Sequence, residues 1–154
     1  MGIRDINVIR ERLSVLPSNM HRRALEVLDS SDELKRSMNC AVVSRYTCGY
    51  LNTLSPRGNE LLGFYFNLGL RADTQNVIMD TRPGDLAVFG GSMDFGTLPD
   101  EHYAVVLDGE SLFSMIGQGG PLSVDTIDET FEIFRGVDDL NVDTVQFFRN
   151  LRCR

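Results

Sequence analysis

The sequence predicts an α+β domain in which N-terminal helices pack on a small antiparallel sheet. Two observations point there. Up to about residue 68, apolar residues recur at three- and four-residue spacing. From about residue 75 they come in short runs broken by Gly, Pro and Asp turns. A helical-period segment closes the chain, and helices followed by strands and a helix is an α+β order.

Ile6, Ile9, Leu13 and Leu16 predict a first helix over 5–16, which Pro17-Ser18-Asn19 interrupts. Met20, Ala24, Leu25 and Leu28 predict a second over 19–29. Ser30-Ser31-Asp32 caps a short turn ending near Met38. Asn39 is a good N-cap, because its side-chain oxygen accepts from an otherwise unpaired amide, and it opens a third helix from Cys40 to about Thr53. Leu54-Ser55-Pro56-Arg57-Gly58 reads as a turn, and Asn59 to Leu68 as a fourth helix.

Strands are predicted at Val77-Ile78-Met79, Leu86 to Phe89, Tyr103 to Leu107, Ser111 to Ile116, Leu122 to Val124 and Phe131 to Phe134. Turns at Arg82-Pro83-Gly84-Asp85, Gly90-Gly91 and Gly117-Gln118-Gly119-Gly120 separate them, and Asp108-Gly109 is the strongest hairpin signal. Val145, Phe148 and Leu151 predict a last helix over Asp143 to Leu151. There are no repeats and no low-complexity tract. Residues 1–154 read as one domain, with 1–38 a helical N-terminal extension and 39–135 the motif-bearing core.

A chain of 154 residues is long enough for one core of its own. Apolar residues at 42% and charged residues at 24% are ordinary globular values. Fifteen Lys and Arg against 22 Asp and Glu give a net charge of -7, which argues against a nucleic-acid partner. No apolar run is long enough to span a bilayer, so no membrane association is expected. Met1-Gly2-Ile3-Arg4-Asp5 lacks the layout of a secretory signal. The chain is expected to be made in the cytoplasm, and dedicated secretion would have to deliver it to a periplasm or a host cell. Three cysteines predict no disulfide framework, and no spacing suits a zinc site. Neither a metal nor a cofactor is expected.

The chemistry-bearing residues are Cys40, at the start of a predicted helix, and His102, at the head of a predicted strand. The thiolate is the nucleophilic form of cysteine, and a helix N-terminus favours it through unpaired amides and the dipole. An imidazole can take the thiol proton and return it to a leaving amine. Counting across a two-residue turn pairs Leu107 with Glu110 and His102 with Met115. Ser114 therefore faces His102 only if the register shifts by one residue. Gln118 is the other candidate for a third member. Cys48, two turns on, reads as core, and His21 as an exposed or partly packed helix residue. Phe64-Tyr65-Phe66 and Phe147-Phe148 read as core, and Arg57 as a surface group.

Four segments together resemble a known family. They are Asn39-Cys40-Ala41, Leu54-Ser55-Pro56-Arg57-Gly58-Asn59, Arg82-Pro83-Gly84-Asp85-Leu86-Ala87-Val88-Phe89 and His102-Tyr103-Ala104-Val105-Val106-Leu107-Asp108-Gly109. In order and distance they resemble the NlpC-like cell-wall peptidases, a papain-like superfamily that includes interbacterial amidase toxins. The resemblance spans about residues 39–135. It implies a papain-like NlpC-type fold, with Cys40 as nucleophile, His102 as base and Ser114 at the third catalytic position. It also implies hydrolysis of amide bonds in peptidoglycan stem peptides, with an immunity or delivery protein as a partner. The sequence departs from the family at Ala41-Val42, where Ser-Gly is usual, and at Ser114, where His or another strongly polar residue is usual. These departures motivate two alternatives: a papain-like effector that deamidates or acyl-transfers on a protein substrate, and a catalytically degraded binding module.

Overall fold

Helices from the N-terminal third and one face of a six-stranded antiparallel sheet share a common apolar core in the computed structural model, which describes residues 2–54, 74–76, 80–90, 100–135 and 142–152. Helix α1 (Ile6–Arg12) starts where Asp5 accepts from the amides of Asn7 and Val8, and it tightens into a 3-10 turn, Leu13–Val15. Helix α2 (Ser18–Leu28) follows Pro17, and α3 (Asp32–Ser37) is capped by Ser31, whose hydroxyl accepts from Leu34 N–H at 3.1 Å. Helix α4 (Cys40–Thr47) is capped by Asn39, whose Oδ1 accepts from Val42 N–H at 3.0 Å. The starts of α1, α3 and α4 lie where local capping chemistry places them.

Helix α4 is shorter than its apolar spacing suggests. Gly49 takes a left-handed φ of 85°. Its N–H bonds to the Tyr46 carbonyl and the Tyr50 N–H to the Arg45 carbonyl. That is the Schellman ending, which satisfies the last carbonyls and turns the chain out of the helix.

The strands are β1 (Thr74–Asn76), β2 (Leu86–Gly90), β3 (Asp100–Val106), β4 (Ser111–Met115), β5 (Leu122–Thr126) and β6 (Thr144–Asn150), in sheet order β1-β6-β2-β3-β4-β5. Between β5 and β6 lies helix α5 (Ile127–Arg135). The predicted turn at 55–58, helix over 59–68 and strand at 77–79 lie outside the described residues, as do Arg57, Phe64-Tyr65-Phe66 and Cys153.

Two elements differ in kind from the expectation. The strand predicted at Phe131 to Phe134 is part of α5. Thr126 and Glu129 form a capping box, with Glu129 N–H on Thr126 Oγ1 at 3.1 Å and Thr126 N–H on Glu129 Oε2 at 2.8 Å. Ile127, Phe131 and Phe134 then recur at helical spacing, and Phe131 and Ile127 pack on the sheet. The helix predicted over Asp143 to Leu151 is strand β6. Val145 and Phe147 pack on one face of the sheet while Phe148 packs on the other, so the true period is two. β6 pairs with β2 through Phe89↔Val145 and Leu86↔Phe148.

The sheet has two covered faces. Leu86, Val88, Tyr103, Val105, Phe113, Met115, Leu122 and Val124 join the core built by Ile9 and Leu13 with the apolar sides of α2 and α4. Ala87, Phe89, Ala104, Val106 and Leu112 form a second cluster under α5. The segment 2–38 is thus built into the main core, each buried leucine adding about 1.5–3 kcal/mol of burial free energy. Ile3 also extends the β5 edge, exchanging two backbone bonds with Val124 at 2.8 and 2.9 Å. Among the described residues, no helix is long and apolar enough to cross a membrane.

Candidate active site

Helix α4 holds Cys40 against β3. Arg45 lies on the Tyr103 ring, 4.5 Å from its centroid, and donates to the Tyr103 hydroxyl at 2.8 Å. Arg23 of α2 stacks on Tyr46 at 4.8 Å and donates to the carbonyls of Tyr46 and Leu51, fixing the far end of α4. Ahead of the cysteine, the loop between β4 and β5 braces the chain, with Gly119 N–H bonded to the Met38 carbonyl at 2.8 Å. Gly119 sits at φ 64°, and a Cβ there would come within 2.8 Å of the Arg36 carbonyl oxygen. Only glycine fits that contact without a shift.

The Cys40 sulfur therefore sits at the first turn of α4, where the backbone N–H groups of Tyr103, Ala41 and Cys40 itself act on it and favour the thiolate. The Tyr103 donor is available because the β3–β4 ladder ends early. Its pairs are Val105↔Phe113 and Val106↔Leu112, and Tyr103 lies beyond them. Burial nevertheless outweighs the donors and holds the thiol above its ordinary range. The helix start does not by itself make this cysteine a thiolate at neutral pH. The residue keeps part of its surface exposed.

His102 is placed differently from the expectation. Tyr103 points to α4, so His102, the preceding residue of the same strand, points to the α5 side. Its ring lies 4.7 Å from the Phe134 ring and 5.8 Å from the Phe89 ring, with 1% of the residue exposed. That burial disfavours the imidazolium and lowers its pKa to about 4. Among the described residues, no hydrogen bond joins His102 to Cys40. The two are linked through one peptide unit, since the amide that meets the sulfur is the one following His102.

The structure does bring His102 and Ser114 together, with Nε2 and Oγ 3.2 Å apart. The β3–β4 connection is a three-residue loop, Asp108-Gly109-Glu110, closed by Leu107 N–H on the Ser111 carbonyl. The loop is one residue longer than the count assumed, and the register moves away from a direct pairing: Val105↔Phe113 and Val106↔Leu112 set Ser114 on the same face as His102, diagonally across from it. Gly109 takes φ 52° in that loop. Gln118 is exposed in the β4–β5 loop and is not part of the pair. Cys48 is fully buried in the main core, as expected.

Sequence reasoning missed the Tyr103 amide, since a backbone donor leaves no residue signature. It also missed Ser123 and Asp125, buried polar residues on β5. Their signal was polar alternation in Leu122-Ser123-Val124-Asp125. Among the described residues, no cluster of His, Cys, Asp and Glu is fit to hold a metal ion. No family model, no curated protein and no solved structure matches the chain.

Proposed function

We propose that the chain is a papain-like cysteine hydrolase acting on amide bonds of peptidoglycan stem peptides, with Cys40 as nucleophile and His102 as base. The observation that carries the reading is the Tyr103 N–H directed at the Cys40 thiol at the start of α4. It puts the thiol one peptide unit from His102, whose ring already has a polar partner in Ser114. The substrate class rests on the order of motifs over residues 39–135.

The resting state in this reading is a neutral thiol beside a neutral imidazole. This reading requires the His102 ring, which rests on the other face of β3 against Phe89 and Phe134, to accept the proton of the sulfur. The thiolate attacks the amide carbon, and backbone N–H groups at the α4 start stabilise the oxyanion. The C–N bond breaks, the imidazolium gives its proton to the leaving amine, and a thioester remains on Cys40. Water, deprotonated by His102, attacks that thioester and frees the carboxylate and the thiol.

Purified protein incubated with muropeptides and analysed by mass spectrometry tests this. Expected are cleaved stem peptides with wild type and with Cys48→Ala, and none with Cys40→Ala or His102→Ala. Equal cleavage by wild type and Cys40→Ala would sink the proposal. A second reading, a binding module on a degraded hydrolase scaffold, is favoured by the packing of His102 between Phe89 and Phe134. It predicts no product, and equal muropeptide affinity for wild type and Cys40→Ala by calorimetry.

A further inference from the structure

We infer that Asp125 is the charged end of a buried polar row, Asp125–Ser123–Ser114–His102, that fixes which nitrogen of the His102 ring carries the proton. The inference uses the hydrolase reading only in giving that ring a proton to move. In the ladder between β4 and β5, Ser114 stands directly opposite Ser123 and Leu112 opposite Asp125. Leu112 belongs to the cluster under α5, so all three polar residues share the face that His102 occupies. The row thus crosses three adjacent strands beneath one helix. None of its members is more than 3% exposed.

Two further observations place the members in reach of one another. Directly opposed residues have Cβ atoms about 4.5–5.5 Å apart, a span that two serine hydroxyls bridge. Ser123 and Asp125 converge on one spot: a Cβ built on Gly2 would lie 1.9 Å from Asp125 Oδ1 and 2.5 Å from Ser123 Oγ. Gly2 covers that end of the row with its backbone alone. Ser123 Oγ and Asp125 Oδ2 are also buried polar atoms with no hydrogen-bond partner among the described residues. Native proteins rarely leave such atoms unused. Here they are the two groups needed to complete a chain that begins at His102 Nε2 and Ser114 Oγ.

A hydroxyl donates one hydrogen bond and accepts two. Turning the Ser123 hydroxyl to Asp125 lets the Ser123 oxygen accept from Ser114. Ser114 has then spent its only proton and can only accept from His102. The Nε2–H tautomer follows, and Nδ1 is left as the proton acceptor. Asp125 acts through two serines, so it is a positioning residue. Burial raises its pKa and the Ser123 hydroxyl acts the other way; among the described residues the charged groups acting on it are Glu129 of α5, which raises it further, and Arg4 of the N-terminal segment, which lowers it. Glu129 is already engaged by the Thr126 amide.

Nitrogen-15 NMR of the histidine rings at neutral pH tests the row without reference to catalysis. With only two histidines in the chain, His102→Gln assigns the signals. Wild type is expected to hold His102 as the Nε2–H tautomer. Ser123→Ala frees the Ser114 proton for Nε2, and Asp125→Leu removes the acceptor at the end of the row. Each should move the tautomer ratio toward Nδ1–H by about tenfold, the worth of one hydrogen bond. Glu129→Gln should leave the ratio unchanged. An Nδ1–H wild type, an unmoved ratio in Ser123→Ala, or a shift in Glu129→Gln equal to that in Ser123→Ala would overturn the inference. If Asp125→Leu does not fold, Ser123→Ala decides alone. An intact row without muropeptide cleavage would remove the hydrolase reading only, and cleavage with an unmoved ratio would remove the row only.

Discussion

The backbone N–H of Tyr103 meets the sulfur of Cys40, while the side chain of the residue before it turns to the other face of the sheet. One peptide unit thus separates a thiol kept protonated by burial from an imidazole kept neutral by burial. Neither group is in the charged form that an ion-paired nucleophile has at rest.

Cys40 should consequently react slowly at neutral pH. A thiol held above its ordinary pKa near 8.5 is no more than about 3% thiolate at pH 7. The rate of alkylation by iodoacetamide, measured in a Cys48→Ala/Cys153→Ala background, should climb steadily through pH 9. A rate already on its plateau at pH 6 would show a preformed thiolate and contradict the arrangement at α4.

His102 makes a contribution to stability that acid removes. Its folded-state pKa of about 4 lies below the ordinary 6.5, so the unfolded chain binds the extra proton between those values. Stability therefore rises with pH across that window, is complete above about 6.5, and is lost as pH falls towards 4. The gap corresponds to about 3 kcal/mol. Urea unfolding at pH 7 and pH 5 isolates it from most carboxylates. His102→Gln should be less stable at pH 7 and should show a smaller loss between the two pH values. Parallel losses in the two proteins would refute the assignment.

What the sequence disclosed and what it hid follow from how local each cause is. Asn39 before Cys40 was legible because an N-cap acts within four residues. The end of α4 was hidden because Tyr50 and Leu51 prolong the apolar spacing past Gly49, although that glycine is the stop signal. β6 was misread because Val145, Phe148 and Leu151 match a helical period, whereas its apolar side chains are split between the two faces of the sheet, Val145 and Phe147 on one and Phe148 on the other, which blurs the alternation. In α5, the Phe131 and Phe134 pair outweighed the Thr126 and Glu129 box that starts a helix. The site was half legible. That His102 and Ser114 share a face depends on one residue of loop length, which could be stated as a condition, but the direction of the shift, which makes their meeting diagonal, could not. The face on which His102 lies depends on which side α4 packs, a long-range fact that no local spacing carries.

Asp85 and Arg149 tie the start of β2 to β6. Arg149 Nε and Nη2 donate to the two carboxylate oxygens at 2.9 Å each, and Arg82 N–H adds a bond at 2.8 Å. Asp85 is 2% exposed, so removing it leaves a guanidinium without its counter-charge. Asp85→Ala should cost about 3–5 kcal/mol in chemical denaturation. The double variant with Arg149→Met should lose clearly less than the sum of the single variants, because the pair acts as a unit. Additive losses would mean that the two residues stabilise the fold separately.

Phe134 is the part of α5 that keeps water from His102, with ring centroids 4.7 Å apart. Desolvation is the cause of the lowered His102 pKa, so thinning this cover should return it towards 6.5. Phe134→Ala also removes a buried aromatic side chain, and a loss of about 3–5 kcal/mol is expected from the cavity. Phe134→Leu keeps most of the apolar volume and should fold with a smaller shift. Histidine proton NMR, followed from pH 3 to pH 8, should therefore rank the His102 pKa values as wild type lowest, Leu next and Ala highest. If Phe134→Ala is too unstable to titrate, the Leu variant against wild type still reads the sign. An unchanged His102 titration in a folded Phe134 variant would mean that Phe89 and the strands alone exclude water, and that α5 is not the cover of this ring.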